Sequence, residues 1–205
     1  MATRCWDNGV PADWKLDLVG TAAPTAGTDD WALQDDDALV RACVAGHPEA
    51  FGPIVRRHQR QVYAVCYRFA GNHADASDLA QDVFIRAYRG LHRFKGQASL
   101  RTWLYRIAVN VCLNKGSKTR GKTPLDAAGI RDPAEQPDLA LLREERAAQV
   151  RAAIARLPRK QRATLILRVY HELPHEEIAA ILGGSVGAAK ANLFHALVNL
   201  RKLLQ

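Results

Sequence analysis

Between Val83 and Leu125 the chain has no aspartate or glutamate, although Arg86, Arg89, Arg93, Lys95, Arg101, Arg106, Lys115, Lys118, Arg120 and Lys122 all fall inside those 43 residues. A block of one sign cannot neutralise itself, so it sets up a positive field. Other shortages narrow the reading. No apolar run approaches the ~20 residues of a membrane span. The four cysteines, Cys5, Cys43, Cys66 and Cys112, are scattered without a CxxC pair, which fits reduced thiols in a cytoplasm. No charged-then-apolar leader opens the sequence, so no secretory signal is expected. A phosphate-cradling glycine loop and a nucleophile elbow are also missing, and nothing supports an enzyme or a bound cofactor.

What is present has a clear layout. The 205 residues suffice for one or two small domains with real cores. Their net charge of +8 is uneven. Residues 1–34 carry two basic and five acidic groups, 35–117 twelve and seven, 118–138 four and four, and 139–205 eleven and five. Two basic bodies joined by a neutral strip suit a protein that touches a polyanion at two places. Within the acid-free block, Phe84, Tyr88, Phe94, Trp103 and Tyr105 interleave with the cations. Flat faces for bases beside charges for phosphates point to nucleic acid, with strands separated. The plainer alternative is a solvated basic helix pair whose aromatics are ordinary core.

Residues 1–34 lack periodicity and contain Pro11, Pro24, Gly20 and Gly27, so they read as a flexible extension, with Trp6, Trp14 and Trp31 unusual there. Order begins at Asp35-Asp36-Asp37, whose carboxylates can cap a helix over 38–45 that Gly46 stops. A second helix, with Pro48 in its first turn, runs to about Ala70 before Gly71-Asn72. The third, about 75–92, places Ala76, Ala80, Val83, Phe84, Ala87 and Leu91 on one face and Asp78, Asp82, Arg86 and Arg89 on another. Its acids lie early and its bases late, as the helix dipole favours. After the loop Arg93-Phe94-Lys95-Gly96-Gln97-Ala98, Ser99 can cap a fourth helix that buries Leu100, Leu104, Ile107, Ala108 and Val111. Trp103, Arg106 and Asn110 form an adjoining ridge suited to gripping an unstacked strand. Cys66 and Cys112 lie among apolar helical positions as core filler.

From Lys115 to Asp138 glycines and prolines replace periodicity, which marks a linker and a domain boundary. Helical spacing resumes with Leu139, Leu142, Val150, Ile154 and Leu157, breaks at Pro158, and returns with Leu165, Ile166 and Val169. Pro174 to Leu182, the Gly183-Gly184-Ser185 turn and a helix over about 186–204 then give helix, tight turn, helix. Ala179 and Gly183 allow the two helices to cross closely, so the pair reads as a helix-turn-helix with its second helix aimed at a major groove. His171-Glu172-Leu173-Pro174-His175 matches the zinc-peptidase signature HExxH, but Pro174 disfavours the continuous helix that the metal geometry needs.

Several motifs in series carry a family resemblance. Asp78-Leu79-Ala80-Gln81-Asp82-Val83-Phe84, Arg93-Phe94, the run Thr102 to Asn110, Leu157-Pro158 with Arg162, Glu177-Ile178-Ala179, and Ser185-Val186-Gly187 with Lys190 occur in order. Together they resemble bacterial RNA polymerase sigma factors of the extracytoplasmic-function type over roughly residues 36–205. The resemblance implies an all-α protein of two small helical domains: a region 2 domain at 35–114 and a region 4 domain at 139–205, with 1–34 as an extension and 115–138 as linker. It implies docking of Asp78, Gln81, Asp82 and Phe84 at or near the clamp helices of the polymerase's largest subunit, with Phe84 packing from beneath, and a further contact with the upstream-facing flap. Arg93, Phe94, Lys95, Gln97, Trp103, Arg106 and Asn110 would open the minus-ten promoter element and hold a flipped base, while the linker threads toward the RNA exit path.

Ser185, Gly187, Ala188, Lys190, Ala191, Asn192 and His195 would face the duplex minus-thirty-five element. An anti-sigma partner is also implied. The recognition helix departs from the family, whose Thr-Val-Lys-Ser-Arg run is here Ala188, Ala189, Lys190, Ala191 and Asn192, followed by His195 and Leu197. With the family's cations at these positions gone, promoter binding should lean on the N-terminal body. A stand-alone helix-turn-helix regulator is the alternative, but such a regulator needs neither a melting loop nor a polymerase-docking stripe.

Overall fold

A computed structural model describes residues 28–115 and 137–205, with side chains from residues 31 and 145 onward in the two segments. Every regular element among the described residues is helical. The first body holds α1 (Thr28–Leu33), α2 (Asp36–Val44), α3 (Phe51–Ala70), α4 (His73–Gly90) and α5 (Leu100–Lys115), with single 3-10 turns at Pro48–Ala50 and Leu91–Arg93. The second holds α6 (Pro137–Arg156), α7 (Arg159–Val169), α8 (His175–Leu182) and α9 (Val186–Leu204).

Local chemistry sets the helix ends. Asp35 caps α2 by accepting from the Ala38 amide at 2.7 Å, so the helix opens at Asp36, inside the carboxylate run expected to precede it. Gly71 closes α3 at φ 80°, a conformation that costs an L side chain but not glycine. Asn72 then accepts from the Asp75 amide at 2.8 Å, which moves the start of α4 ahead of Asp75. Ser99 accepts from the Thr102 amide at 3.2 Å and opens α5. The predicted face of α4, Ala76, Ala80, Val83, Phe84, Ala87 and Leu91, is buried throughout. On α5, Leu100, Leu104, Ala108 and Val111 are buried as expected and Ile107 is half-buried. Cys66 and Cys112 are both buried, and their mutual hydrogen bond together with burial pushes the Cys66 thiol well up.

One expectation changes. The extension read as flexible over 1–34 is helical at its end, where Trp31 packs on the core with its ring centroid 5.7 Å from that of His47. Arg57 ties the same segment down by donating to Asp36 at 2.6 Å and to the Gln34 carbonyl at 2.8 Å. Trp6 and Trp14 lie outside the described residues, as do Leu125 and the interval 116–136 of the expected linker. As Pro174 led us to expect, the HExxH string does not lie on one helix. α7 ends at Val169, Glu172 takes φ 52°, and α8 starts only at His175, so the two histidines do not project from adjacent turns.

The second body forms the predicted helix-turn-helix. Gly183 caps α8 at φ 66°, the Gly184 amide donates to the Ala179 carbonyl at 3.0 Å, and Ser185 accepts from the Ala188 amide at 3.1 Å to start α9. The axes of α8 and α9 meet at 98°. No single helix among the described residues is long and apolar enough to cross a membrane.

Candidate nucleic-acid interface

The first surface is built from the end of α4, the loop after it and α5. Arg93, Lys95 and Gln97 are exposed on the loop, and Arg106 and Asn110 are exposed on α5. Phe94 and Trp103 are half-buried, with ring centroids 5.4 Å apart and planes tilted by 55°. Trp103 lies over the last turn of α4, where a Cβ added to Gly90 would sit 3.7 Å from the indole. The helix thus offers an aromatic pair, supported from behind, beside a guanidinium and an amide. An unstacked base needs a face to stack on and donors for its edge, and this ridge supplies both.

The fold removes some of the expected aromatics from that role. Phe84 is 1% exposed and Tyr105 is 5% exposed, so neither presents a face to a base. Burial pushes the Tyr105 phenol up to about 12. Tyr88 is exposed but leans edge-on against Phe51 at 5.0 Å. On the polymerase-docking stripe, Asp78, Gln81 and Asp82 are exposed, whereas Phe84 can act only by supporting them from beneath. Asp82 lies 3.9 Å from Arg86, and Asp78 lies 3.9 Å from Lys115.

The second surface is α9. Ser185, Gly187, Ala188, Lys190, Ala191 and His195 are exposed as expected of a reading face, and Asn192 is half-buried toward its side. The large apolar Phe194 is 64% exposed beside His195, and was not anticipated from the spacing of cations that usually marks such a helix.

Sequence spacing also gave no warning that the two bodies meet along a seam. Arg101 donates to Glu177 at 2.8 Å, and Arg106 donates to the Ala180 carbonyl on α8. Arg159 donates to Asn114 at 2.8 Å. Arg162 donates to the Phe69 carbonyl at 2.6 Å while its guanidinium lies 5.2 Å from the Phe69 ring centroid. It therefore satisfies a carbonyl in the last turn of α3, where the helix dipole favours a cation. Burial pulls the Arg162 pKa down. Arg68 covers the Tyr170 ring at 4.3 Å, and His171 meets Tyr105 edge-on at 5.7 Å. Burial, with Arg68 adding to it, pulls His171 down to about 4, so it is neutral here. These partners lie 45 to 102 residues apart, beyond the reach of any local pattern. The only legible hint was Arg162 and Glu177 recurring inside the family-like motifs.

The segments that carry these two surfaces both match known protein families. Residues 54–121 match Sigma-70 region 2, and residues 147–200 match Sigma-70, region 4. The RNA polymerase sigma-H factor of Pseudomonas aeruginosa is 34% identical over 184 residues, covering 84% of this chain and 95% of that protein. The ECF RNA polymerase sigma factor SigW of Bacillus subtilis is 34% identical over 171 residues, 78% and 91% of the two chains. Among solved structures, CnrH in complex with the cytosolic domain of CnrY superposes with a TM-score of 0.58 at 26% identity, covering 82% of this chain and 96% of that one. Two Sigma-70 segments in their proper order on an all-helical chain, shared with relatives matched over nearly their whole length, show that this protein belongs to the extracytoplasmic-function RNA polymerase sigma factors, which direct promoter-specific initiation of transcription.

Proposed function

We propose that the two bodies divide promoter recognition as their surfaces suggest. Residues 35–114 dock on core polymerase through Asp78, Gln81 and Asp82 and open the minus-ten element, and residues 139–205 hold duplex DNA upstream through α9. The observation that carries this reading is the Trp103–Arg106–Asn110 ridge beside the exposed Arg93–Gln97 loop, which combines a stacking platform with cations and lies on an acid-free stretch of chain. Unstacking a base costs a few kcal/mol, which a preformed aromatic site offsets.

In the described arrangement α8 sits over part of that ridge, because Arg106 is held by Ala180 and Arg101 by Glu177. We read this as a closed form whose bodies part when both DNA elements are engaged. The setting proposed is the cytoplasm. A protein partner of the anti-sigma kind would favour one of the two arrangements, as CnrH is solved with the cytosolic domain of CnrY.

Run-off transcription with core polymerase tests the division. The chain should confer initiation on a subset of promoters, and Trp103→Ala should reduce open-complex formation by roughly 5- to 150-fold, the value of one base–aromatic stack of ~1–3 kcal/mol. Because α9 carries few cations, Lys190→Ala with Asn192→Ala should cost less. Promoter binding abolished by those two changes and untouched by Trp103→Ala would reverse the assignment.

A further inference from the structure

The outward face of α9 is apolar where a DNA-reading helix usually carries hydrogen-bonding side chains. At about 100° per residue, the buried line of the helix runs through Ala189 and Ala196, and the opposite line runs through Gly187, Ala191, Phe194 and Val198. Phe194 is 64% exposed and Val198 36%. Cations border this stripe on both sides, with Lys190 and Arg201 along one flank and Lys202, on the same side as His195, along the other, all exposed. That is the charge pattern of a helix lying between two phosphate strands.

Gly187 adds an independent observation. A Cβ at that position would meet nothing closer than the Ser185 hydroxyl at 3.9 Å, and its φ is not in the left-handed region. Neither packing nor backbone geometry within the chain requires glycine there, although glycine costs a helix roughly 0.5–1 kcal/mol relative to alanine. An external surface that approaches the first turn closely would account for it.

We propose that α9 selects its upstream duplex by apolar contact of Ala191 and Phe194 with thymine methyl groups, with Gly187 admitting the base edges and the flanking cations reaching the phosphates of both strands. Thymine is the one base that offers a methyl group in the major groove, and alanine and phenylalanine are side chains that contact it. The upstream element would then be thymine-rich, read by shape and methyl contact more than by bidentate hydrogen bonds. Asn192, half-buried on the side of the helix, would play little part. This rests on α9 lying in the major groove.

The test uses holoenzyme assembled with the full chain and promoter duplexes randomised over the upstream element. Selection should enrich thymine at two or three neighbouring positions on one strand. Replacing thymine with deoxyuridine there removes only the methyl, and should weaken binding about fourfold per contacted position. Phe194→Ser, at an exposed site that does not threaten folding, should bring the thymine-to-uracil ratio near one at the position Phe194 contacts and leave it unchanged at the position facing Ala191. Equal binding of thymine and uracil duplexes overturns the proposal while leaving α9 a DNA-contacting helix. Loss of core polymerase affinity in Phe194→Ser with methyl discrimination retained also overturns it, and makes the stripe a protein-docking face. Failure to enrich any upstream base overturns both this inference and the placement of α9 in a groove.

Discussion

Acidification should loosen this protein through a single histidine. His171 is 7% exposed, with Tyr105 of α5 edge-on to it and Arg68 of α3 adding positive charge nearby, and its pKa falls from the ordinary 6.5 to about 4. A base whose pKa is lower in the folded state is buried neutral. Its contribution is therefore complete above pH 6.5 and is lost as pH falls from 6.5 toward 4. Over that whole window the shift corresponds to about 3 kcal/mol at ~1.36 kcal/mol per unit. At pH 5 about 2 kcal/mol is already gone, roughly a 30-fold change in the folding constant. Arg68 and Tyr105 both belong to the first body, so parting the bodies relieves much of the same penalty, and the seam should weaken over the same range. Urea denaturation followed by helical circular dichroism at pH 7.5, 6.5 and 5.0 measures it, with His171→Phe as a ring-preserving variant that cannot titrate. Carboxylates act on both chains alike, so the difference between the two profiles isolates His171. The wild type should lose about 2 kcal/mol relative to the variant between pH 7.5 and 5.0, and parallel profiles would refute the reasoning.

Arg162→Met keeps the length of the side chain but removes the charged hydrogen bond to the Phe69 carbonyl. The contact between the bodies should weaken by about 1.5–3 kcal/mol, seen as a larger radius of gyration in small-angle scattering, and an unchanged radius would mean that the seam does not depend on this residue. Glu177→Lys places two cations where Arg101 now finds a carboxylate. Both side chains are over a third exposed, so the loss should be under ~1 kcal/mol and should shrink in high salt. Gly183→Ala forces a Cβ into the left-handed conformation at φ 66° although no atom lies within 4 Å of it. Its cost, about 1 kcal/mol, should appear in thermal melts as conformational strain, and Gly183→Asn should recover part of it.

Much of the fold was legible because its determinants are local. The apolar face of α4, the stop at Gly71, the break at Pro158 and the turn at Gly183 each rest on residues within one or two helical turns of one another. Asn72 and Asp35 shifted helix starts by a residue or two because more than one nearby side chain was able to cap. The proposed binding ridge was legible as a line of side chains for the same reason, since Trp103, Arg106 and Asn110 share one helix. Tyr105 was misjudged as a base-stacking face because it is buried in packing that includes His171, 66 positions away, which no local period records.

The amino-acid order alone determined the helices, the helix-turn-helix, the acid-free basic block and the family, because spacing, caps and charge are properties of neighbours along the chain. Only the tertiary structure decided that α1 docks through Trp31, that Tyr105 is interior, and that Arg101, Arg106 and Arg162 bind the other body. The physical reason is that burial and long-range pairing depend on which helices come to lie side by side, and an exposed arginine meets a distant carbonyl or carboxylate only where that packing brings one within reach.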